Sequence, residues 1–263
     1  MSVFGWRELL IPVSTVIVTK DEEFNIQDAL ESIKDFSEII VIDSFSTDHT
    51  VDICKKYTDK VFQKEWEGYA KQKQKGIDKA SMPWVMILDA DERITPELRA
   101  EISSSIENKD HNGFYIPRKN FFLGKWIKHG GWWPDYTLRL FKKDNAFMQK
   151  REVHEKLIVR GSLGYMKNPM EHYTARSISE FISKLENYST LSAKEMGQKD
   201  FMPNIFSFTL RPLFTFLNMF IFRRGFLDGK YGLILSLLYS YYTFSKYTKI
   251  WEDKIMIRSK SCI

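Results

Sequence analysis

The chain reads as an α/β protein with a mostly parallel sheet, flanking helices and a C-terminal helical region. Three observations predict this. Short apolar runs alternate with helix-spaced segments as far as about residue 110, and such alternation implies right-handed crossovers between parallel strands. Aspartates stand at the carboxyl ends of three of those runs, where open α/β sheets place their ligands. After Arg176 the β-like pattern gives way to amphipathic and apolar helical stretches.

The elements follow in order. Thr15-Val16-Ile17-Val18 is a short strand. Glu22 to Ile33 carries Phe24, Ile26, Leu30 and Ile33 close to helical spacing. Glu38 to Ile42 is a second buried strand. Ser46-Thr47-Asp48 supplies capping chemistry for a helix through Tyr57. Lys60-Val61-Phe62 is a third strand, Gly68 to Ala80 a polar helix, and Trp84 to Leu88 a fourth strand. Thr95 then caps a helix that has Pro96 in its first turn. Between residues 113 and 175, glycines and prolines break up short β-like runs, among them Phe114 to Pro117 and Tyr136 to Lys142. Residues 177–196 are amphipathic, 205–222 strongly apolar, and 231–251 apolar and aromatic. The expected organisation is a catalytic domain over 1–176, with a ligand half at 1–110 and a second half at 111–176, then a helical region over 177–263.

Asp89-Ala90-Asp91, at the end of the fourth strand, carries the strongest chemical signal. Side chains two apart on an extended backbone point the same way, and two like charges at close range resist ionisation. A cation between them removes the conflict. Oxygen ligands suit Mg²⁺ or Mn²⁺, which typically take one or two carboxylates together with substrate phosphates. Asp21, Asp43 and Asp89 all fall at strand ends and imply one acidic cleft.

Composition narrows the classes. The net charge of +5 is only mildly basic, and no zinc-ligand spacing or RNA-binding aromatic motif accompanies it, so no nucleic-acid partner is expected. An anionic substrate or membrane surface explains the excess. Cys54 and Cys262 suggest no disulfide framework and point to a reducing cytoplasm. Met1 to Leu10 has no long apolar run behind a basic start, so no signal peptide is expected.

A set of segments then resembles a known family. They are Val18-Thr19-Lys20-Asp21-Glu22-Glu23 with Asn25-Ile26, Val41 to Thr50, Glu67 to Lys73 and Leu88-Asp89-Ala90-Asp91-Glu92-Arg93. Pro117 to Asn120, Gly130-Gly131-Trp132-Trp133-Pro134-Asp135, Arg139-Leu140-Phe141, Val153-His154-Glu155 and Arg223 to Gly229 complete it. In this order they resemble inverting family-2 glycosyltransferases of the GT-A fold, a Rossmann-like architecture. More narrowly they are similar to the lipopolysaccharide-core β-1,4-glucosyltransferase group.

The resemblance implies a UDP-sugar donor and a divalent cation, Mg²⁺ or Mn²⁺. It places Thr19, Glu22 and Asp43 around the nucleoside and Lys73 against the nucleotide. Asp91 becomes the chief metal ligand, Asp89 meets the ribose or the metal shell, and His154 is a further metal candidate. Two positions depart from many relatives: Asp21 replaces an Asn, and Phe45 replaces a Gly, where a side chain disfavours positive φ. Inverting transfer needs a base, and Asp135 is the first choice, with Glu155 its competitor. Trp132 and Trp133 beside Asp135 are candidate acceptor-site walls, and Arg118 and Arg139 candidate diphosphate contacts.

The apolar C-terminal stretches carry Arg211, Pro212 and Asn218 in the first, so neither is a clean run of about 20 apolar residues as a spanning helix needs. Interfacial helices fit better. The expectation is a hexosyltransferase, glucose being the first candidate sugar, peripheral on the cytoplasmic face of the inner membrane and acting on a lipid-linked saccharide. Two rivals are a nucleotidyltransferase and a non-catalytic scaffold. The acidic Thr19-Lys20-Asp21-Glu22-Glu23 opposes the first, which would usually carry a Gly-rich basic loop there. The four aspartates Asp43, Asp89, Asp91 and Asp135 oppose the second.

Overall fold

The computed structural model describes residues 10–107, 110–149, 156–197 and 201–260. The chain divides into two compact units: Met1–Arg118 with Tyr136–His172, and Lys119–Asp135 with Tyr173–Ile263.

The chain opens with β1 (Ile11–Thr19), α1 (Ile26–Ser32), β2 (Phe36–Asp43), α2 (Thr50–Cys54), β3 (Val61–Gln63), α3 (Tyr69–Lys79) and β4 (Trp84–Asp89). Then come β5 (Glu92–Ile94), α4 (Pro96–Ser105), β6 (Gly113–Phe122), β7 (Lys125–Trp126) and β8 (Asp135–Lys142). The remaining strands are β9 (Ala146–Gln149), β10 (Lys156–Val159), β11 (Leu163–Tyr165) and β12 (Met170–Ala175). The main sheet runs β3-β2-β1-β4-β8-β6-β12-β5, with β7 and β11 on β6, while β9 and β10 pair separately. Strands β1 to β4 are parallel, as the alternation of runs predicts, and β8 joins β4 antiparallel.

Both faces of the parallel part are covered, which is why its strands read as continuous apolar runs. Val13 and Ile17 of β1 pack with Ile26, Leu30, Leu98 and Ile102 of α1 and α4. Val16 and Val18 face the other way, with Ile42, Ile87 and Ile77 of α3. Each such fully buried aliphatic side chain contributes roughly 1.5–3 kcal/mol relative to exposure. Close packing fixes α3 on β1: a Cβ at Gly76 would stand 2.2 Å from Val16 Cγ1.

Three local differences from the sequence reading have hydrogen-bond causes. The first helix begins at Ile26, because the Glu22 and Glu23 amides donate to Thr50 Oγ1 (2.8 Å) and Asp48 Oδ2 (3.0 Å). The second helix is only Thr50–Cys54, since Ser46 is committed to Asp43 through its own amide (3.0 Å) and hydroxyl. Phe45 takes a φ of +56° and Asp21 one of +52° despite their side chains. The Thr95 cap is as read, its Oγ1 accepting from Leu98 N at 3.2 Å with Pro96 following.

The second unit contains α5 (Ile178–Gly197), α6 (Ile205–Phe208), α7 (Leu210–Leu217) and α8 (Lys230–Lys260). A π-turn at Asn218–Phe222 and a 3-10 turn at Gly225–Asp228 separate the last two. Its core is aromatic, with Phe122, Trp132 and Phe181 packed beside Leu185, Met219 and Leu235. Lys249 of α8 binds Glu186 of α5 as well as Ser189 Oγ (2.8 Å), which locks those helices together.

Candidate active site

The carboxyl edge of the parallel strands positions the first group. In register, Thr19 of β1 lies beside Asp43 of β2, and Val18 beside Asp89 of β4. Asp43 is fully buried and satisfied by Ser46 and by Gln63 Nε2 (3.3 Å). Thr19 is buried too, but its hydroxyl has no partner among the described residues. A buried hydroxyl without a partner costs free energy until something bonds it. Glu22 Oε2 accepts from Asn25 Nδ2 at 2.7 Å at the same end of β1.

Asp89 sits in a cationic clamp. Lys73 Nζ approaches its Oδ1 to 3.1 Å, and Arg139 donates to its Oδ2. Lys73 is therefore set apart from Lys71 and Lys75 on the same helix, which both pair with Glu67. Arg139 also donates to Glu92 Oε1 at 2.6 Å, and Arg118 Nη1 stands 3.6 Å from that oxygen. Glu92 is fully buried, and its Oε2 accepts the Asp89 amide at 3.0 Å, so it also fixes the Asp89-Ala90-Asp91 turn. Burial works to raise the Asp89 pKa, but Arg139 and then Lys73 outweigh it and hold the carboxyl far below its usual range. The same pairing drives the Arg139 pKa upward against its own burial.

Asp91 follows within the turn, with His172 beside it. His172 Nε2 stands 3.4 Å from Asp91 Oδ2, because β12 pairs antiparallel with β5 and sets His172 opposite Glu92. Among the described residues no group of three or more His, Cys, Asp or Glu stands together as a metal cage. Asp91 and His172 offer one oxygen and one nitrogen donor, which fits a divalent ion that takes its other ligands from water and substrate phosphates. His154 and Glu155 lie outside the described residues. The sequence analysis missed His172 and Glu92. An acid that follows a D-x-D pattern directly was a signal for Glu92, whereas His172, 81 residues beyond Asp91, had none without the strand pairing.

In the second unit the loop Gly130 to Asp135 carries the other candidates. Asn120 Nδ2 donates to Asp135 Oδ2 and to the Trp132 carbonyl, both at 3.0 Å, and so fixes the carboxylate against its own loop. Trp132 is buried in the aromatic core, edge-on to Phe122. Trp133 is half-buried and meets Trp126 edge to face at 5.5 Å.

A mostly parallel α/β sheet with a D-x-D turn at its carboxyl edge is the architecture of the GT-A class of glycosyltransferases. The sequence profile of Glycosyl transferase family 2 matches residues 14–168, and the chain belongs to that family. It is 28 % identical over 256 residues to the lipopolysaccharide core biosynthesis glycosyltransferase LpsC of Rhizobium meliloti, covering 92 % of this chain and 93 % of that one. An uncharacterized glycosyltransferase of Rickettsia conorii is 27 % identical over 274 residues, covering 98 % and 95 %. Among solved structures, the mannosyltransferase PcManGT from Pyrobaculum calidifontis, in complex with GDP-Man and Mn²⁺, superposes with a TM-score of 0.51. That match has 13 % identity over 92 % of this chain and 87 % of the other, and shows the shared GT-A fold.

Proposed function

We propose that this glycosyltransferase moves a hexose, glucose first among candidates, from a UDP-sugar to a lipid-linked saccharide. The transfer inverts the anomeric centre, needs Mg²⁺ or Mn²⁺, and serves a bacterial surface glycan such as the lipopolysaccharide core at the cytoplasmic face of the inner membrane. The observation that carries this reading is the carboxyl-edge cluster: Asp43 and the Thr19 hydroxyl, without a partner among the described residues, beside the clamped Asp89, with Asp91 and His172 paired at the turn. The LpsC role in core biosynthesis supports the acceptor class.

In this reading Thr19, Glu22 and Asp43 line the nucleoside pocket, and Asp89, kept ionised by Arg139 and Lys73, accepts from the ribose hydroxyls. Asp91 and His172 hold the cation, which when bound neutralises charge on the leaving diphosphate. Arg118 adds positive charge on the Glu92 side. Arg139 acts through Asp89 and Glu92, to which its guanidinium is committed. Asp135 takes the proton of the attacking acceptor hydroxyl, with Asn120 setting the direction of its carboxylate. Trp133 offers a face for the acceptor sugar, and Trp132 supports it from the core.

A melting-temperature screen with UDP, GDP, CMP and ADP, each with Mn²⁺ or a chelator, tests the reading. A ligand at a hundred times its Kd adds about 2.7 kcal/mol, which raises Tm by roughly 5–10 °C for a chain of this size. The expected result is a Mn²⁺-dependent shift with UDP that Asp91→Asn and His172→Ala abolish. Asp135→Asn keeps the shift and loses turnover. A shift with another nucleotide reassigns the donor, and no shift with any of them in folded protein overturns the site.

A further inference from the structure

Residues 201–227 contain no acidic side chain and three arginines. Within them, 205–222 is long and apolar enough to cross a bilayer, with a mean hydropathy of 1.5. Its structure is not that of one straight span. The α6 helix ends at Phe208, α7 starts at Leu210, and a π-turn begins at Asn218. One face is covered by α8: Ser240 Oγ donates to the Pro212 carbonyl (2.9 Å), Thr215 and Thr243 hydroxyls meet at 3.1 Å, and Met219 is buried. The opposite face, Phe206, Leu210, Leu213, Phe214, Ile221 and Phe222, is exposed, Phe222 at 70 % and Phe214 at 63 %. Within α7 the spacing of three and four puts Leu210, Leu213 and Phe214 on one side. Phe226 and Leu227 extend the exposed surface past the Arg223-Arg224 pair.

The same turn is fastened to the loop that leads to Asp135. Gly130 N donates to the Arg223 carbonyl at 2.8 Å, and the Arg223 guanidinium lies on Gly131, where a Cβ would stand 2.3 Å from Nη1. Asp228 Oδ2 accepts from the Lys128 (3.2 Å) and His129 (2.8 Å) amides, and Lys125 Nζ donates to the Asp228 carbonyl (3.0 Å). Arg223 and Asp228 thus grip residues 125–131 from both ends of one turn.

We propose that the exposed face of α6, α7 and the 221–227 turn is a docking surface for an anionic lipid bilayer, on which the helices lie flat, and that it holds the 130–135 loop at headgroup level. The occupant follows from charge and shape. An apolar, aromatic face that carries no carboxylate and ends on the exposed Arg224, while Arg211 is bonded to Tyr247 and Arg223 lies on Gly131, is complementary to a negatively charged interface. A short helix packed along α8 offers its side, not its end, to the lipid. The inference rests on the membrane-bound acceptor of the proposed function. It gives that reading a place: the base loop meets sugars that stand near the bilayer surface.

The test is sedimentation of the full chain with vesicles of phosphatidylethanolamine and phosphatidylglycerol, or of phosphatidylcholine alone, without nucleotide. Binding is expected for the anionic vesicles only, weakening with salt. Phe214→Glu with Phe222→Glu should lower the partition coefficient at least about 100-fold, and Arg224→Gln about fivefold. The affected side chains are exposed, so an unchanged melting temperature shows that the variants fold. The proposal is overturned by no binding of the folded wild type, by equal binding of the double variant, or by binding that survives an alkaline carbonate wash, which marks a spanning segment. A concentration-dependent dimer that the double variant dissolves, with no vesicle binding, overturns it in favour of a second copy. Failure of the donor screen leaves this result standing, and the reverse also holds.

Discussion

Arg139→Met removes the charge shared by the buried Glu92 carboxylate and the half-buried Asp89 carboxylate. Arg139 is 5 % exposed, and its Nη2 serves both Asp89 and Glu92. Without it Asp89 keeps Lys73 at 3.1 Å, but Glu92, with no exposed surface, is left among the described residues with Arg118 at 3.6 Å as its positive neighbour and the Asp89 amide as donor. Breaking a buried pair by removing one partner costs about 3–5 kcal/mol, because the remaining charge stays desolvated. For a chain of this size that lowers Tm by roughly 10 °C. Urea unfolding of Arg139→Met, Glu92→Gln and the double variant separates the pair from lost packing. The expected coupling energy is about 2 kcal/mol, the double variant being less damaged than the two single losses summed. A cost under about 1 kcal/mol for Arg139→Met, or strict additivity, would refute the clamp.

Two further outcomes follow from the first unit. Glu38 is buried, and although burial raises its pKa, bonds from Lys60, Ser14 and Ser81 bring it down to about 2. A lowered folded pKa stabilises above the ordinary carboxylate range and the gain is lost as pH falls toward 2. Glu38→Gln should therefore cost about 2 kcal/mol at pH 7, allowing for the half-exposed Lys60 ammonium, and the gap to wild type should close between about pH 5 and pH 2 in chemical denaturation. Gly76→Ala should destabilise by about 1–3 kcal/mol despite the better helix propensity of Ala, since its Cβ meets Val16, and Val16→Ala in the same chain should restore most of the loss in thermal melts.

The parallel half of the fold was legible because each buried strand is an apolar run closed by a polar end. Ile39 to Ile42 and Val85 to Leu88 are buried for that reason, and the aspartate after each stands at the sheet edge. Helix starts were less legible. Nothing local says that Thr50 and Asp48 capture the Glu22 and Glu23 amides and delay α1 to Ile26. The buried role of Arg139 was hidden in the same way, for an Arg in a strand reads as a solvent or substrate contact until its partners are known. Its two carboxylates lie 50 and 47 residues upstream, and only the pairing of β8 with β4 brings them together.

The left-handed residues join sequence to function most directly. Phe45 and Asp21 have positive φ although neither is glycine, and such conformations persist only where surrounding bonds over-determine them. Here the bonds are visible. Asp21 N donates to Ser46 Oγ (2.9 Å), Thr47 N donates to Asp21 Oδ1 (2.7 Å), and Ser46 N donates to Asp43 Oδ2 (3.0 Å). The two strained turns at the ends of β1 and β2 are thus tied to one another through Ser46 and to the buried Asp43. An Asn at position 21 offers the same kind of oxygen to Thr47, so this net requires an acceptor at position 21 and not its charge. A glycine at position 45 would relieve the turn but loosen it, at a backbone entropy cost of about 0.5–1 kcal/mol. The strain is therefore located just past Thr19 and Asp43, at the carboxyl edge of the parallel strands, and the side-chain net replaces the glycine that the turn would otherwise favour.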